Sequence, residues 1–279
     1  MNAAEVYANL IDAVEAQHAR FHEGELRDDT WGGATARRFR FDPRRQLGAN
    51  VEAIASYAQS GDTVVDAGGG AGRVSLPLAL RCQEVMNVDP SPGMKTEFEA
   101  AAAEAGITNA RFIQSDWLDA NELASDLVVT SNVTYFVRDI VTFVRKMDET
   151  AKRRVVMSVW SVPPPNQSAP IFQLVYGEEQ EPSPGHQELL PVLWEMGILP
   201  DIRVLSSVSL LDELPQTHEA AVQEAARGQW LSPKHQDLAT STVEKHFGEL
   251  YEETPEGYRP LWRPEVRELL ITWEPGETS

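Results

Sequence analysis

The heptapeptide Asp66-Ala67-Gly68-Gly69-Gly70-Ala71-Gly72 follows directly on the apolar run Thr63-Val64-Val65. It predicts a strand that ends in an acid, then a glycine loop, then a helix. Glycines at 68, 70 and 72 accept positive φ at little cost and put no Cβ between backbone and ligand. A loop of this kind belongs at the carboxyl end of a parallel strand, where nucleotide-like ligands lie against doubly wound sheets.

The loop is not a dinucleotide fingerprint. Counting G-x-G-x-x-G from Gly68 puts Arg73 in the third glycine position, and counting from Gly69 puts Ala71 in the second. The pattern present is D-x-G-x-G-x-G, which resembles motif I of the S-adenosylmethionine-dependent methyltransferases with a Rossmann-like fold (class I, small-molecule type). Dinucleotide enzymes aim a helix N-terminus at a pyrophosphate. S-adenosylmethionine carries no phosphate but an ammonium, a carboxylate and a sulfonium, and an acid at the strand end suits such a cationic ligand.

Three later segments extend the resemblance in the expected order. Val85-Met86-Asn87-Val88-Asp89 reads as a second strand ending in an acid, and Asp89 falls 21 positions after Gly68. That is close to the spacing at which a carboxylate reaches a ribose diol. Residues 110–117 read as a third strand running into Ser115, Asp116 and Trp117, and residues 126–137 as a fourth strand with its following loop. The resemblance implies S-adenosylmethionine as cofactor and S-adenosylhomocysteine as product. It implies that Asp66, Ala67, Gly68, Gly70 and Gly72 shape the loop at the methionine and ribose portions. Asp89 would hold the ribose hydroxyls, with Pro90 and Met94 leading into the next helix. Ser115, Asp116 and Trp117 would hold adenine, and Asn132 would sit near the methionine end. The loop Ser131-Asn132-Val133-Thr134-Tyr135 lacks the prolines of the N-P-P-Y loop found in methyltransferases of exocyclic amines, so the likeness is to the members that act on small molecules.

Methyl transfer is an in-line displacement and needs a general base only where the acceptor must lose a proton. No catalytic residue stands out. Tyr135, His18, His22 and His186 are candidates for such a base. His18 and His22 lie one helical turn apart, a spacing that can also share a metal, but two structural histidines are the simpler expectation and no metal is expected. Trp31, Arg38, Phe39 and Trp160 are candidates for the lid and acceptor pocket. Arg38 belongs to a basic cluster with Arg37, Arg40, Arg44 and Arg45, which reads as a solvated face or as the source of one arginine folded over the site. Two other functions stay open: a nicotinamide- or flavin-dependent oxidoreductase, and a cofactor-binding protein of this fold that regulates and does not catalyse.

The alternation of short apolar strands (63–67, 84–89, 110–115, 126–131, 153–160) with helical stripes predicts an α/β fold. It is a three-layer, mostly parallel sheet with helices on both faces. The resemblance makes it seven-stranded, with residues 202–208 and 269–273 as the last two strands and one of them antiparallel. About sixty residues separate these two, where the family usually has a tight hairpin. Val243, His246, Phe247, Leu250 and Tyr251 keep a helical period there, so a helical insertion late in the chain is expected. Residues 4–21 form an amphipathic helix, broken at Asp28-Asp29-Thr30-Trp31-Gly32-Gly33. The expected organisation is an N-terminal helical cap (1–45), a cofactor-binding core (46–160), and a C-terminal part (161–279) whose proline-rich loop and insertion complete the sheet and form the substrate side.

The net charge of −19 over 279 residues disfavours nucleic acid, whose binding rests on neutralising phosphates with Lys and Arg. Residues 178–279 alone carry 20 acids against 7 bases. With Cys82 as its single cysteine, the chain can form no intrachain disulfide. The first twenty residues contain Glu5, Asp12 and Glu15 and read as no secretory leader, and no apolar stretch is long enough for a membrane span. A cytoplasmic protein is expected, monomer or homodimer, with a small-molecule acceptor as its partner.

Overall fold

The computed structural model describes residues 1–22, 29, 31–207, 214–227 and 231–276. The sheet starts at β1 (Thr63–Ala67) and steps outward to β2 (Glu84–Asp89) and β3 (Ala110–Gln114), with α4 (Ser75–Ala79) and α5 (Pro92–Glu104) as crossovers. Three helices precede it: the long α1 (Ala3–Phe21) and the short α2 (Ala34–Arg38) and α3 (Ala49–Ala55). After β3 the chain returns to the other side of β1 as β4 (Ser125–Ser131), and α6 (Ile140–Thr150) leads to β5 (Ala151–Trp160). Then come α7 (Ala169–Tyr176), α8 (His186–Glu195) and β6 (Asp201–Ser207). An excursion holds α9 (His218–Ala226), α10 (Gln236–Lys245), α11 (Phe247–Leu250) and the hairpin β7 (Tyr251–Thr254) and β8 (Gly257–Pro260). β9 (Arg267–Trp273) then inserts between β5 and β6.

The seven-stranded order is β3-β2-β1-β4-β5-β9-β6, and only β9 runs antiparallel to its neighbours. This is the Rossmann-like architecture expected from the sequence. Outward steps from β1 to β3 and the return at β4 leave a topological switch between β1 and β4, and the crevice at their carboxyl ends is where such sheets bind ligands.

Strand alternation explains how the sheet holds a core on each face. Val64, Leu127 and Leu270 pack with Ile54, Leu78 and Phe98 on the side of α3, α4 and α5. Their neighbours Val65, Val128 and Ile271 pack with Tyr7, Phe143, Met147 and Leu189 on the side of α1, α6 and α8. Successive strand residues point to opposite faces, so an apolar pair such as Val64-Val65 feeds both layers. A third cluster joins α7 to the excursion through Phe172, Val175, Ala221, Val222, Ala225 and Val243.

Some local expectations differ from the structure. The strand expected to end at Val208 is described only to Ser207, Val208 itself lying outside the described residues. The helical period through Tyr251 stops at Leu250, and Tyr251 opens the hairpin. Pro255 and Gly257 impose that turn: Gly257 takes φ +124°, and the Thr254 hydroxyl donates to the Gly257 carbonyl at 2.8 Å. Pro191 lies inside α8 without ending it. Among the described residues no helix is long and apolar enough to cross a membrane.

Candidate functional site

A cavity of about 1500 Å³ opens at the carboxyl ends of the parallel strands. Its floor is the loop after β1. The Gly68 amide donates to the Val88 carbonyl at 2.8 Å, and Gly68 takes φ +73°. A Cβ at Gly68 would lie 2.6 Å from Val133, so the position needs glycine for conformation and for space. Gly70 takes φ +53°, and a Cβ there would meet only the end of the Met94 side chain, its sulfur at 3.5 Å, so this residue leaves an open cradle. From below, the Asn87 side-chain amide donates to the Gly70 carbonyl at 3.1 Å and to the Ser75 hydroxyl at 3.0 Å.

Asp89, at the tip of β2, stands on the cavity wall. One carboxylate oxygen accepts from the Gly70 amide at 3.0 Å, the other from the Ser91 amide at 2.9 Å. Burial raises its pKa, and the two amides oppose that shift. Asp66 is placed differently. It is 1% exposed, lies under Gly69 and forms no part of the wall. Burial pushes its carboxyl up to about 7, against the pull of Arg73.

Pro90, Met94, Asp116, Trp117 and Asn132 also line the cavity. Asp116 accepts from the Leu118 amide at 2.8 Å. The Trp117 indole is mostly turned into the core, 4% exposed, and donates to the Phe143 carbonyl at 3.2 Å, so the more exposed Leu118 supplies the open apolar surface beside it. Asn132 holds φ +61°, a left-handed conformation that Asn tolerates better than most residues, and its amide donates to the Ser158 carbonyl at 2.9 Å.

The other expected site residues do not meet at the wall. Ala67 is buried within β1, and Gly72 is packed so closely that a Cβ would lie 2.7 Å from Leu76 and 2.8 Å from Phe98. Ser115 turns its hydroxyl onto the Asp116 carbonyl. Tyr135 is buried, its hydroxyl donating to Asn132 at 3.1 Å and accepting from the Trp160 amide. Burial raises its pKa far above that of an ordinary phenol, which leaves it poorly suited to take a proton. His18 and His22 stack on each other on α1 with ring centroids 3.6 Å apart, and burial pushes His18 down to about 4. His186 opens α8, away from the wall.

Trp31, Arg38, Phe39 and Trp160 do line the cavity. The segment carrying the first three is moored by Asp29, a residue that the sequence reading treated only as part of a helix break. Its carboxylate accepts from the Ser91 hydroxyl at 2.9 Å, the Gly93 amide at 3.0 Å and the Trp31 amide at 3.2 Å. Its neighbours Asp28 and Thr30 lie outside the described residues. Of the remaining basic cluster, Arg40 pairs with Glu97 and Glu104, Arg44 donates to the Ala105 carbonyl, and Arg45 donates to the Arg73 carbonyl. These contacts fasten the cap to α5 and to the loop. Arg73 also escaped notice as a site residue: it lines the cavity and donates to the Ser131 hydroxyl at 2.7 Å. Its position right after the glycine loop was the available signal.

The far wall comes from the late excursion. Ala220, Gln223, Glu224 and Arg227 share one face of α9 and its cap, at the i, i+3, i+4, i+7 spacing, and Trp262 and Arg263 stand beside them. Glu224 is held by Arg263 and by the Tyr251 hydroxyl at 2.8 Å.

Residues 64–154 match the family model described as a methyltransferase domain. This stretch is similar to a methyltransferase domain. It spans β1 to the first part of β5 and so contains the glycine loop, Asp89, Asp116 and Asn132, while the cap and the α9 wall lie outside it. No curated protein matches the chain. Solved structures do. The YcgJ protein of Bacillus subtilis is 15% identical, with a TM-score of 0.53 over 80% of this chain and 97% of its own. A candidate methyltransferase of Bacillus halodurans is 11% identical, with a TM-score of 0.55 over 80% of this chain and 96% of its own. A geranyl diphosphate methyltransferase solved with S-adenosylmethionine is 15% identical, with a TM-score of 0.50 over 89% of this chain and 93% of its own. At these identities the likeness is one of fold, and it extends well beyond the matched domain.

Proposed function

We propose that the protein transfers the methyl group of S-adenosylmethionine to a small organic acceptor. The observation that carries this reading is Asp89, a carboxylate on the wall of a large cavity, fixed at the tip of β2 beside the open cradle of Gly70. Two carboxylates at adjacent strand tips, Asp89 and Asp116, suit a ribose diol and an amino-bearing ring and would repel a pyrophosphate. The volume exceeds what one drug-sized ligand fills and leaves room for cofactor and acceptor together.

In this reading Asp89 accepts the ribose hydroxyls, Asp116 and Leu118 with the edge of Trp117 receive the adenine, and Gly68, Gly70 and Asn132 border the methionine end. When bound, the cofactor supplies a methyl carbon already activated by its sulfonium. The chain's own work is to align the acceptor and exclude water. Trp31, Phe39 and Trp160 form the apolar lid, and α9 with Trp262 and Arg263 forms the acceptor wall. No proton-accepting role is assigned to Tyr135, whose hydroxyl is already committed. The buried thiol of Cys82 fits a reducing compartment, and the cytoplasm is the proposed location.

Titration calorimetry with S-adenosylhomocysteine tests the cofactor half. Wild type should bind one equivalent, and Asp89→Ala should lose about 1–3 kcal/mol of binding free energy, the worth of hydrogen bonds to a charged acceptor. Tritium transfer from S-adenosylmethionine to a metabolite panel then separates an enzyme from a protein that only binds the cofactor. Unchanged affinity in Asp89→Ala would contradict the proposed placement.

A further inference from the structure

Five guanidinium groups line the cavity. Three are engaged: Arg73 by Ser131, Arg138 by both oxygens of Asp12 at 2.6 and 2.8 Å, and Arg263 by Glu224. The side chains of Arg38 and Arg227 have no hydrogen bond or ion pair among the described residues. Neither belongs to the matched domain: Arg38 ends α2 in the cap, and Arg227 caps α9 in the excursion.

The acids on the same wall do not answer them. Asp89 and Asp116 accept from backbone amides, Asp139 caps α6 through the Thr142 amide at 3.2 Å, and Glu224 is held by Arg263 and Tyr251. Glu219 lies in the first turn of α9, where the positive end of the helix accommodates it, two turns from Arg227. Around these groups the lining is strongly aromatic: Trp31, Phe39, Trp160 and Trp262. No lysine or histidine of the described residues joins it.

We infer that the acceptor is an apolar molecule, ring-bearing or chain-bearing, with an anionic group that Arg38 and Arg227 receive. The inference rests on the methyltransferase reading and names the substrate class of the same site. In a chain of net charge −19 whose cavity lining balances five arginines with five acids, an anion is held only by direct contact with guanidinium groups that no carboxylate already pairs, as with Arg38 and Arg227. Arginine is suited to this, because its planar fork takes carboxylate or phosphate oxygens in pairs. The aromatic faces bury the remainder of the molecule.

Two fluorescent probes with one ring system test this: 8-anilinonaphthalene-1-sulfonate, and N-phenyl-1-naphthylamine, which lacks the sulfonate. Both are titrated into wild type, Arg38→Gln and Arg227→Gln in the presence of excess S-adenosylhomocysteine, so that the carboxylate of a bound cofactor is already provided for. The sulfonate probe should bind wild type about tenfold more tightly or better. Its affinity should fall about fivefold or more in each variant, while the neutral probe stays within about twofold and so reports an intact fold. Equal or tighter binding of the neutral probe, no binding of either, or a preference untouched by both substitutions overturns the inference. Calorimetry with S-adenosylhomocysteine alone reports separately on the cofactor reading. Loss of that binding with the anion preference intact sinks the cofactor assignment and not the cationic site.

Discussion

Gly68 shows how single residues set this site. Its φ of +73° and its closeness to Val133 are independent obstacles to a side chain. Gly68→Ala should therefore cost about 2 kcal/mol or more in urea unfolding, from left-handed strain and overpacking together. Adding Val133→Ala should recover the packing part and leave about 1 kcal/mol. Asp66 gives a pH test. In the fold it keeps its proton up to about pH 7, whereas in the unfolded chain it ionises near the ordinary value of about 3.9. Between those values the native state holds the extra proton, so this group's contribution to stability is full below about pH 4 and is lost as pH rises towards 7. Relative to wild type, Asp66→Asn should gain stability across that window, by a few kcal/mol in order of magnitude. Urea midpoints at pH 5 and pH 7.5 check the direction, and a constant difference would contradict it. Residues of this kind were only half legible in the sequence. The glycines and acids announced a loop at a strand end, but which acid faces the cavity and which lies beneath the loop depends on one alternation of side-chain direction.

At the scale of elements, α1 is a structural brace, and its His18 and His22 lie off the cavity wall. Tyr7 is fully buried and its hydroxyl donates to the Thr134 carbonyl at 2.6 Å, while Asp12 pairs with Arg138. The helix is thereby pinned to the loop after β4 that carries Asn132. Tyr7→Phe removes one of two donors to the Thr134 carbonyl, which keeps the Val137 amide at 3.1 Å, and should cost about 1 kcal/mol. Hydrogen exchange should show faster opening of α1 and of the turn Thr134–Phe136, with β2 and β3 unaffected. The strands were legible because each is a short apolar run with a polar stop: the expected 63–67 and 84–89 coincide with β1 and β2. The hairpin β7–β8 was not, because Leu250 and Tyr251 extend the helical period of Val243 and Phe247. Only the turn at Pro255 and Gly257 breaks it. Arg227 was invisible for a different reason. Its importance comes from lining the same cavity as Arg38, nearly two hundred residues away in sequence, and no local pattern encodes that.

For the molecule as a whole, division of labour follows the sheet. In the proposed function, strands β1 to β4 would provide the cofactor berth, whose glycine loop and strand-end acids the sequence announces. The cap and the excursion between β6 and β9, built from long-range packing, would then serve as lid and acceptor wall. A crystal structure of the protein with S-adenosylhomocysteine tests the central claim most directly. The account predicts the ligand in the cavity above β1 and β2, with the ribose hydroxyls on Asp89 and the adenine against Asp116 and Leu118. Ligand bound elsewhere, or a cavity left empty at saturating S-adenosylhomocysteine, would contradict it.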